Sequence, residues 1–239
     1  MVTKESKISD IIRENPERVL TLDKYGVKFY QNPGITLMEA CTGKKIDLNL
    51  LINDLERLEK GASILINWEN WSLDFMITYL ENNHHANIRS LLGKDYVIFF
   101  IKYLQGKENE NKEIDELFSS INVHLKKEER MLFPYIKQLE IVYANGLEFE
   151  YANFGTLPNV LKVINKEHSQ ICAYIDNVVA GIDRILDKAS LEVKKSILKI
   201  LEGIKKDFHL HVYLEENVIF PKALTLEEEL INNFNISKN

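Results

Sequence analysis

Cysteine is scarce in this chain, with only Cys41 and Cys172 among 239 residues. The two are far apart and form no C-x-x-C pair, so the sequence indicates neither a thiolate zinc site nor a disulfide framework. Two distant thiols are typical of a protein kept in a reducing compartment.

Proline, glycine and long apolar runs are scarce as well. Five prolines and ten glycines occur, and apolar residues recur at intervals of three and four rather than in alternation, which predicts an all-α protein. No apolar run approaches the roughly 20 residues that span a bilayer, and the first residues lack the apolar centre of a secretory signal. We therefore expect a cytoplasmic protein with no membrane partner.

A basic surface is also missing. The formal net charge is -6 and no basic arm stands out, whereas binding to nucleic acid requires clustered positive charge. We therefore expect no nucleic-acid partner.

Long amphipathic segments predict a four-helix bundle in the last two thirds of the chain. The four predicted helices cover about residues 72–92, 114–136, 158–186 and 191–219, with a shorter helix at 96–104 and an irregular crossover at 140–156. Before them, short helices are expected at 37–41 and 48–58, and a connector at 59–67. The predicted domains are a small helical domain at 1–60, the bundle at 68–226 and a tail at 227–239.

A doubled motif carries the strongest chemical signal. H-x3-E-E-x3-F-P occurs at residues 124–134 (HLKKEERMLFP) and again at 211–221 (HVYLEENVIFP), an offset of 87 (211 − 124). On a helix, a His and a Glu four residues apart lie on one face, about 6 Å apart along the axis. An imidazole and a carboxylate facing the same way are typical of a transition-metal site. The phenylalanines, Phe133 and Phe220, are expected to pack in the core beyond the ligands, and Pro134 and Pro221 to kink or end their helices.

The other two long helices each contribute one histidine to an apolar stripe. Buried polar groups are normally hydrogen-bonded, so a lone histidine on such a stripe is more often a satisfied core residue than a ligand. That interpretation weakens when all four helices place polar groups in the core, where bundles build metal sites. The predicted metal ligands are His84, His124, Glu128, His168, His211 and Glu215.

Helix geometry at 100° per residue separates these ligands from their neighbours. His85 shares its predicted face with polar residues such as Glu81 and Arg89, and His209 lies about 200° from His211 around the helix. We therefore expect His85 and His209 at the surface or beside a ligand. The same expectation holds for Glu129, Glu167 and Glu216.

Four imidazoles and two carboxylates suit two metal ions, because a single zinc ion is saturated by four ligands and structural zinc prefers thiolates. Iron, manganese or a mixed pair all fit these donors. With both carboxylates bridging, positions remain for an oxo or hydroxo bridge and for a small ligand such as O2 or NO.

The ligand set, with H-x3-E at 124–128, E-H at 167–168 and H-x3-E-x-N-V-I-F-P at 211–221, resembles the hemerythrin-like domain of the iron–sulfur cluster repair di-iron proteins. The resemblance covers nearly the whole chain, because residues 6–58 resemble that family's small N-terminal domain. It implies two non-haem iron ions bridged by two glutamates and an oxo group. It also implies repair of iron–sulfur clusters damaged by nitric oxide or oxidants, through iron delivery or NO chemistry. Damaged iron–sulfur proteins would then be the partners. A second copy of the chain, forming a homodimer, is a further possible partner.

Two other functions use the same centre. One is an enzyme that reduces NO or peroxide. The other is a sensor or carrier that binds O2 or NO without chemistry. The chain departs from the repair family in one respect: the family's adjacent cysteines would fall at Tyr30 and Gln31, so no thiol is present there. The N-terminal domain is therefore expected to be a structural or docking element.

Overall fold

The computed structural model describes residues 1–15, 18–29, 34–57, 70–93, 108–185 and 190–237. These residues form helices and turns, and within them no strand is present beyond two isolated bridges, which confirms the all-α prediction. The expected helix at 96–104 and the connector at 59–67 lie outside these ranges, as do Tyr30 and Gln31. No helix in the described ranges is both long and apolar enough to cross a bilayer.

The described residues form two compact units. One unit comprises Met1–Trp71 together with Val212–Val218, and the other comprises Ser72–His211 together with Ile219–Asn239. In the first unit the helices are α1 (Ile8–Glu14), α2 (Arg18–Lys24), α3 (Leu37–Cys41) and α4 (Leu48–Arg57). The last two match the predicted short helices to within a residue.

The small helices of the first unit owe their positions to a few specific contacts. Arg18 is 6% exposed, and its guanidinium donates to the carbonyl oxygens of Leu55, at 3.1 Å, and Ile11, at 3.3 Å. This places one buried cation across three helices, where its hydrogen bonds offset the cost of burial. Thr36 and Glu39 form a capping box that starts α3.

The remaining elements are long helices interrupted by π-helical turns, and apart from Val212–Val218 they belong to the second unit. The elements are α5 (Leu73–Leu80), π1 (Glu81–His85), α6 (Ala86–Leu91), α7 (Glu108–Lys127), π2 (Glu128–Leu132), α8 (Phe133–Asn145), α9 (Leu157–Ile185), α10 (Leu191–Leu214), π3 (Glu215–Ile219) and α11 (Phe220–Ser237). Helix α7 packs on α9, α8 packs on α5 and α11, and α9 packs on α11. Each π segment continues the α-helix before it. Two helices therefore extend beyond their predicted ends at 136 and 219, to Asn145 and Ser237.

Neither proline of the doubled motif ends its helix. Phe133, just before Pro134, donates its amide to the carbonyl of Glu128, five residues earlier, which is the hydrogen bond of a π turn. Proline has no amide to donate, and the helix continues through it as α8. Gly146, at φ 61°, ends α8 in the left-handed region that glycine adopts without strain.

The last helix extends beyond the expected end of the bundle. Residues assigned to a tail form the final turns of α11, and Glu227 is only 2% exposed there. Its carboxylate accepts from the amide of Leu157, at 3.0 and 2.9 Å, and from the hydroxyl of Tyr135, at 2.7 Å. One buried carboxylate therefore caps the start of α9 and joins α8, α9 and α11.

Candidate metal centre

A cluster of buried histidines and glutamates lies where the helices of the bundle face one another. It contains five of the six predicted ligands, each at most 1% exposed and with donor atoms within 4.8 Å of one another: His124, Glu128, His168, His211 and Glu215. The structure thus brings together both copies of the H-x3-E motif and the single histidine of α9.

The doubled motif has the same local structure in both copies. His124 and His211 lie in the last turn of α7 and α10, and Glu128 and Glu215 are the first residues of π2 and π3. The His and the Glu are thus joined by an α-helical turn, in which a spacing of four puts both on one face.

The sixth predicted ligand does not join the cluster. The His84 Nδ1 atom lies 2.8 Å from Oδ1 of Asp207, and its ring meets Tyr79 edge-on. The neighbouring residue, His85, takes the expected place: it is fully buried, its Nε2 lies 3.6 Å from Oε2 of Glu128, and its ring centroid is 4.8 Å from that of His211. The expectation that His85 lies on a solvated face is therefore wrong.

The physical reason is the π turn at Glu81–His85. In an α-helix the residue in register with Leu80 is four positions later, at 84, but a π turn closes hydrogen bonds over five residues. The amide of Ala86 donates to the carbonyl of Glu81, five residues back. Leu80 is therefore in register with His85, and the 100° step used for the sequence does not hold there. His209 is also buried, at 1% exposure, rather than at the surface.

The two oxygens of Glu128 divide the four histidines into two pairs. Oε1 lies 3.1 Å from Nε2 of His124 and 3.4 Å from Nε2 of His168, which are called the first pair here. Oε2 lies 3.5 Å from Nε2 of His211 and 3.6 Å from Nε2 of His85, the second pair. Oε2 is buried and makes no hydrogen bond to any described residue.

The rings within each pair are close neighbours. The ring centroids of His124 and His168 are 4.7 Å apart, and those of His85 and His211 are 4.8 Å apart. The carboxylate of Glu128 lies between the two pairs and directs one oxygen toward each. Such an arrangement fits two cations side by side better than a single one.

Two further carboxylates orient one histidine of each pair. Oε1 of Glu129 lies 2.8 Å from Nδ1 of His85, and Oε2 of Glu167 lies 3.3 Å from Nδ1 of His124. An ionised carboxylate only accepts, so each Nδ1 donates, and in the neutral imidazole the lone pair is then on Nε2, the atom that faces Glu128. Glu167 thus lies beside His124, a predicted ligand, and Glu129 lies beside His85.

A cation holds each orienting carboxylate in its ionised state. Arg89 donates to Oε2 of Glu129 at 2.7 Å, and Lys127 donates to Oε1 of Glu167. The hydrogen bond to His124, together with Lys127, outweighs partial burial and lowers the pKa of Glu167 to about 2. Burial by itself would raise the pKa of Glu129, but Arg89 and His85 reverse that and lower it.

The histidines around Glu128 favour its ionised form. Complete burial favours its neutral form, but contacts with His124 and His168 outweigh burial and hold the pKa of the carboxyl well below its ordinary range. Burial lowers the pKa of His124, while Glu128 and Glu167 together raise it above its usual value. A metal bound at this imidazole therefore competes with a proton.

Aromatic side chains surround the imidazoles. Phe133 stacks on His85 with centroids 5.6 Å apart, and Phe220 stacks on His168 with centroids 6.3 Å apart. Phe133 and Phe220 are 0% and 2% exposed, so the two phenylalanines of the doubled motif pack as expected. They form an apolar wall on either side of the cluster, which restricts water access.

A cavity lies beside His124, one residue of the cluster. It encloses about 210 Å³ between α7 and α9, and its lining includes His124, Lys127, Glu167, Val123 and Tyr174. His124 thus has Nε2 facing Glu128 and also lines this cavity.

Cys41 and Cys172 are both buried and form no disulfide. Burial raises the pKa of the Cys41 thiol, so it is a small apolar core residue rather than a reactive thiolate.

The whole chain is similar to proteins named for iron–sulfur cluster repair. It is 23% identical over 238 residues to the iron–sulfur cluster repair protein YtfE of Edwardsiella ictaluri, covering 94% of this chain and 99% of that protein. It is 20% identical over 229 residues to the repair protein ScdA of Staphylococcus haemolyticus, covering 93% and 99%. The YtfE protein of Escherichia coli O157:H7 is 23% identical over 247 residues, covering 95% and 100%.

A family match covers the bundle. Residues 76–223 match the hemerythrin HHE cation-binding domain, a span that includes every residue of the cluster and confirms the hemerythrin-like resemblance inferred from the motifs. Because the match extends over more than half of the chain, this protein belongs to the hemerythrin HHE cation-binding domain family.

Proposed function

We propose that this protein holds two non-haem iron ions and repairs iron–sulfur clusters damaged by nitric oxide or oxidants. The observation that carries the proposal is the geometry of Glu128, whose two carboxylate oxygens each face two imidazole Nε2 atoms at 3.1–3.6 Å. Two donors that share an ion at about 2.1 Å each are roughly 3.0–3.4 Å apart, for octahedral to tetrahedral angles. The donors are therefore spaced nearly as two metal ions need them.

The chemistry of the donors fits the same group. Imidazole and carboxylate suit iron, and also manganese, whereas thiolate, which selects zinc or an iron–sulfur cluster, is absent from the cluster. The buried Oε2 of Glu128, which forms no hydrogen bond among the described residues, would be costly without a cation. Metal ligation supplies the missing partner.

We propose His85, rather than His84, as the sixth ligand. The ligands would then be His124 and His168 for one ion, His85 and His211 for the other, with Glu128 between them and Glu215 as the second carboxylate. The oxo or hydroxo bridge that the resemblance implies completes this proposal.

The protein's own residues would orient and enclose this centre. Glu129 and Glu167 keep Nδ1 of their histidines protonated, so that Nε2 points toward the metal. Phe133 and Phe220 exclude bulk water from two sides. When bound, the iron ions supply redox and Lewis-acid chemistry toward a small ligand such as NO, O2 or peroxide.

The role in repair is supported by the relatives. Proteins named for iron–sulfur cluster repair match this chain over 93–95% of its length, so the likeness includes the N-terminal unit as well as the bundle. Damaged iron–sulfur proteins are therefore the proposed partners.

Metal analysis and Mössbauer spectroscopy of the native protein test the centre, with about two iron ions per chain expected. A repair assay tests the function: cells lacking the protein are exposed to NO, and recovery of aconitase activity is followed. We expect aconitase activity to recover slowly in these cells. The wild-type gene should restore the normal rate of recovery, and a Glu128→Ala variant should not. Normal recovery in the deleted strain contradicts the repair function.

The cavity beside His124 favours a second candidate, reduction of NO or peroxide, because it offers a small molecule space next to one residue of the cluster. An enzyme would turn over NO to N2O steadily with a physiological electron donor. A single burst that stops after one equivalent counts against it, and reversible O2 binding without turnover favours a carrier instead.

A further inference from the structure

The two pairs of histidines are supported by the same arrangement of charges. In each pair one imidazole bonds through Nδ1 to a carboxylate, and that carboxylate bonds to a cation: Arg89, Glu129 and His85 on one side, and Lys127, Glu167 and His124 on the other. The arrangement recurs although the supporting residues are distributed differently: Lys127 and Glu129 lie on the continuous helix of α7 and π2, Arg89 on α6 and Glu167 on α9.

The two pairs differ in the distance between the carboxylate and the imidazole that it orients. On the second pair, the carboxylate–imidazole contact is 2.8 Å and His85 is fully enclosed beneath Phe133. On the first pair, the corresponding contact is 3.3 Å. His124 and Glu167 both line the cavity of about 210 Å³.

From this difference we propose that the two metal positions are unequal, and that the ion held by the first pair is the exchangeable one. It leaves through the cavity beside Glu167, while the ion held by the second pair stays. Glu167 is a positioning residue in this scheme, because it acts on the metal only through His124. The inference rests on the two-ion centre of the proposed function.

The physical basis is the entropy and orientation of the ligand. An imidazole held by a firm hydrogen bond keeps its lone pair aimed at the metal, and loss of such a partner typically lowers metal affinity by about 10–100-fold. A ligand with a longer bond and open space behind it can rotate away from the ion, which is the first step of release.

Chelator-driven release distinguishes the two ions. The full-length protein, loaded anaerobically with two equivalents of iron(II), is mixed with excess of a chromogenic iron(II) chelator in a stopped-flow instrument. We expect two phases of equal amplitude. Glu167→Gln should accelerate the fast phase about 10–100-fold and leave the slow phase unchanged, whereas the matched variant Glu129→Gln should accelerate only the slow phase.

A second pair of variants leaves both orienting carboxylates intact. Val123 lines the cavity and is 50% exposed, so Val123→Trp should narrow the path and slow the fast phase alone. Val163 is 53% exposed and is not part of that lining. Val163→Trp therefore serves as the control for adding a surface tryptophan and should change neither phase.

The outcomes separate this inference from the proposed function. A protein that binds fewer than two ions overturns both. Two ions released in one phase leave the two-ion centre standing and overturn the inequality, as does a fast phase that responds to Glu129→Gln rather than Glu167→Gln. Nitrogen NMR of the zinc-loaded variants adds a readout independent of release: the Nδ1 signal of His124 should move in Glu167→Gln only.

Discussion

Substituting the two adjacent histidines one at a time discriminates between the α-helical and the π-helical placement of the ligand. If an α-helix continued through residues 81–85, His84→Ala would remove a ligand and His85→Ala would not. The structure predicts the reverse, because the Nε2 of His85 lies 3.6 Å from Glu128 and His84 bonds to Asp207.

The expected magnitude for His85→Ala follows from mass action. An ion present at 100 times its dissociation constant stabilises the folded state by about 2.7 kcal/mol. Loss of a ligand costs at least the ~100-fold of a lost orienting partner, which leaves that position about half filled and worth only about 0.4 kcal/mol. The metal-loaded protein therefore loses about 2.3 kcal/mol, or roughly 5–9 °C in Tm, and its metal content falls from two ions to about 1.5 or fewer.

His84→Ala should act differently. It removes a hydrogen bond to the Asp207 carboxylate, an interaction of about 1.5–3 kcal/mol, and does so equally with and without metal. Its metal content should stay at two ions.

Plasma mass spectrometry and calorimetry of each variant, with and without metal, provide the assay. The informative quantity is the difference in Tm between the loaded and the metal-free protein, which His85→Ala reduces and His84→Ala preserves. The reasoning is refuted if His84→Ala loses metal while His85→Ala keeps two ions.

Three further predictions concern the cluster and its supports. Glu128→Ala should reduce metal content close to zero, because both ions share this carboxylate; retention of two ions by elemental analysis would show that it is not a ligand. Removing metal from the wild-type protein by chelation should lower its Tm by about 10–20 °C, since two ions at 100 times their dissociation constants contribute about 5 kcal/mol, and an unchanged Tm contradicts a metal-stabilised bundle. Burial and Glu227 raise the pKa of Tyr135, so the folded protein keeps a proton that the unfolded chain loses above pH ~10. The free energy of unfolding should therefore fall as the pH rises past ~10. Tyr135→Phe should make that fall shallower in alkaline urea titrations. An unchanged dependence on pH would contradict the raised pKa of Tyr135.

Most of the fold could be predicted from the sequence, because the apolar period of 3.6 reports directly on amphipathic helices. The predicted helix at 72–92 matches the continuous segment from Leu73 to Leu91, and the one at 158–186 matches α9. The ends of the other helices were missed where a π turn and a proline lie within a continuous helix, since proline normally argues for a helix end.

The predicted ligands differ in the same way. His124 with Glu128, and His211 with Glu215, are joined by α-helical turns, so a spacing of four in the sequence predicted that each His and Glu share one helix face. His85 lies at the end of a π turn, and no residue pattern near it predicts that turn. The adjacent histidines are a signal that two candidates exist, but only the hydrogen bond from Ala86 to Glu81 decides between them.

The outer contacts depended wholly on the tertiary structure. Nothing in the sequence relates Glu129 to Arg89, which lies on another helix, or Glu227 to Leu157 at the start of α9. Such pairs arise because helices far apart in the sequence are packed side by side, and the cost of an unpaired buried charge selects the partner.

The sequence by itself determined the helical class of this protein, its doubled His–Glu motif and the helices that carry the metal-binding groups, because these depend on local periodicity. The tertiary structure alone decided which of two histidines faces the cluster, how Glu128 divides the four imidazoles into pairs, and which pair lies beside a cavity. Those features depend on the phase of a helix after a π turn and on distances between helices, and neither quantity is encoded in the spacing of residues along the chain.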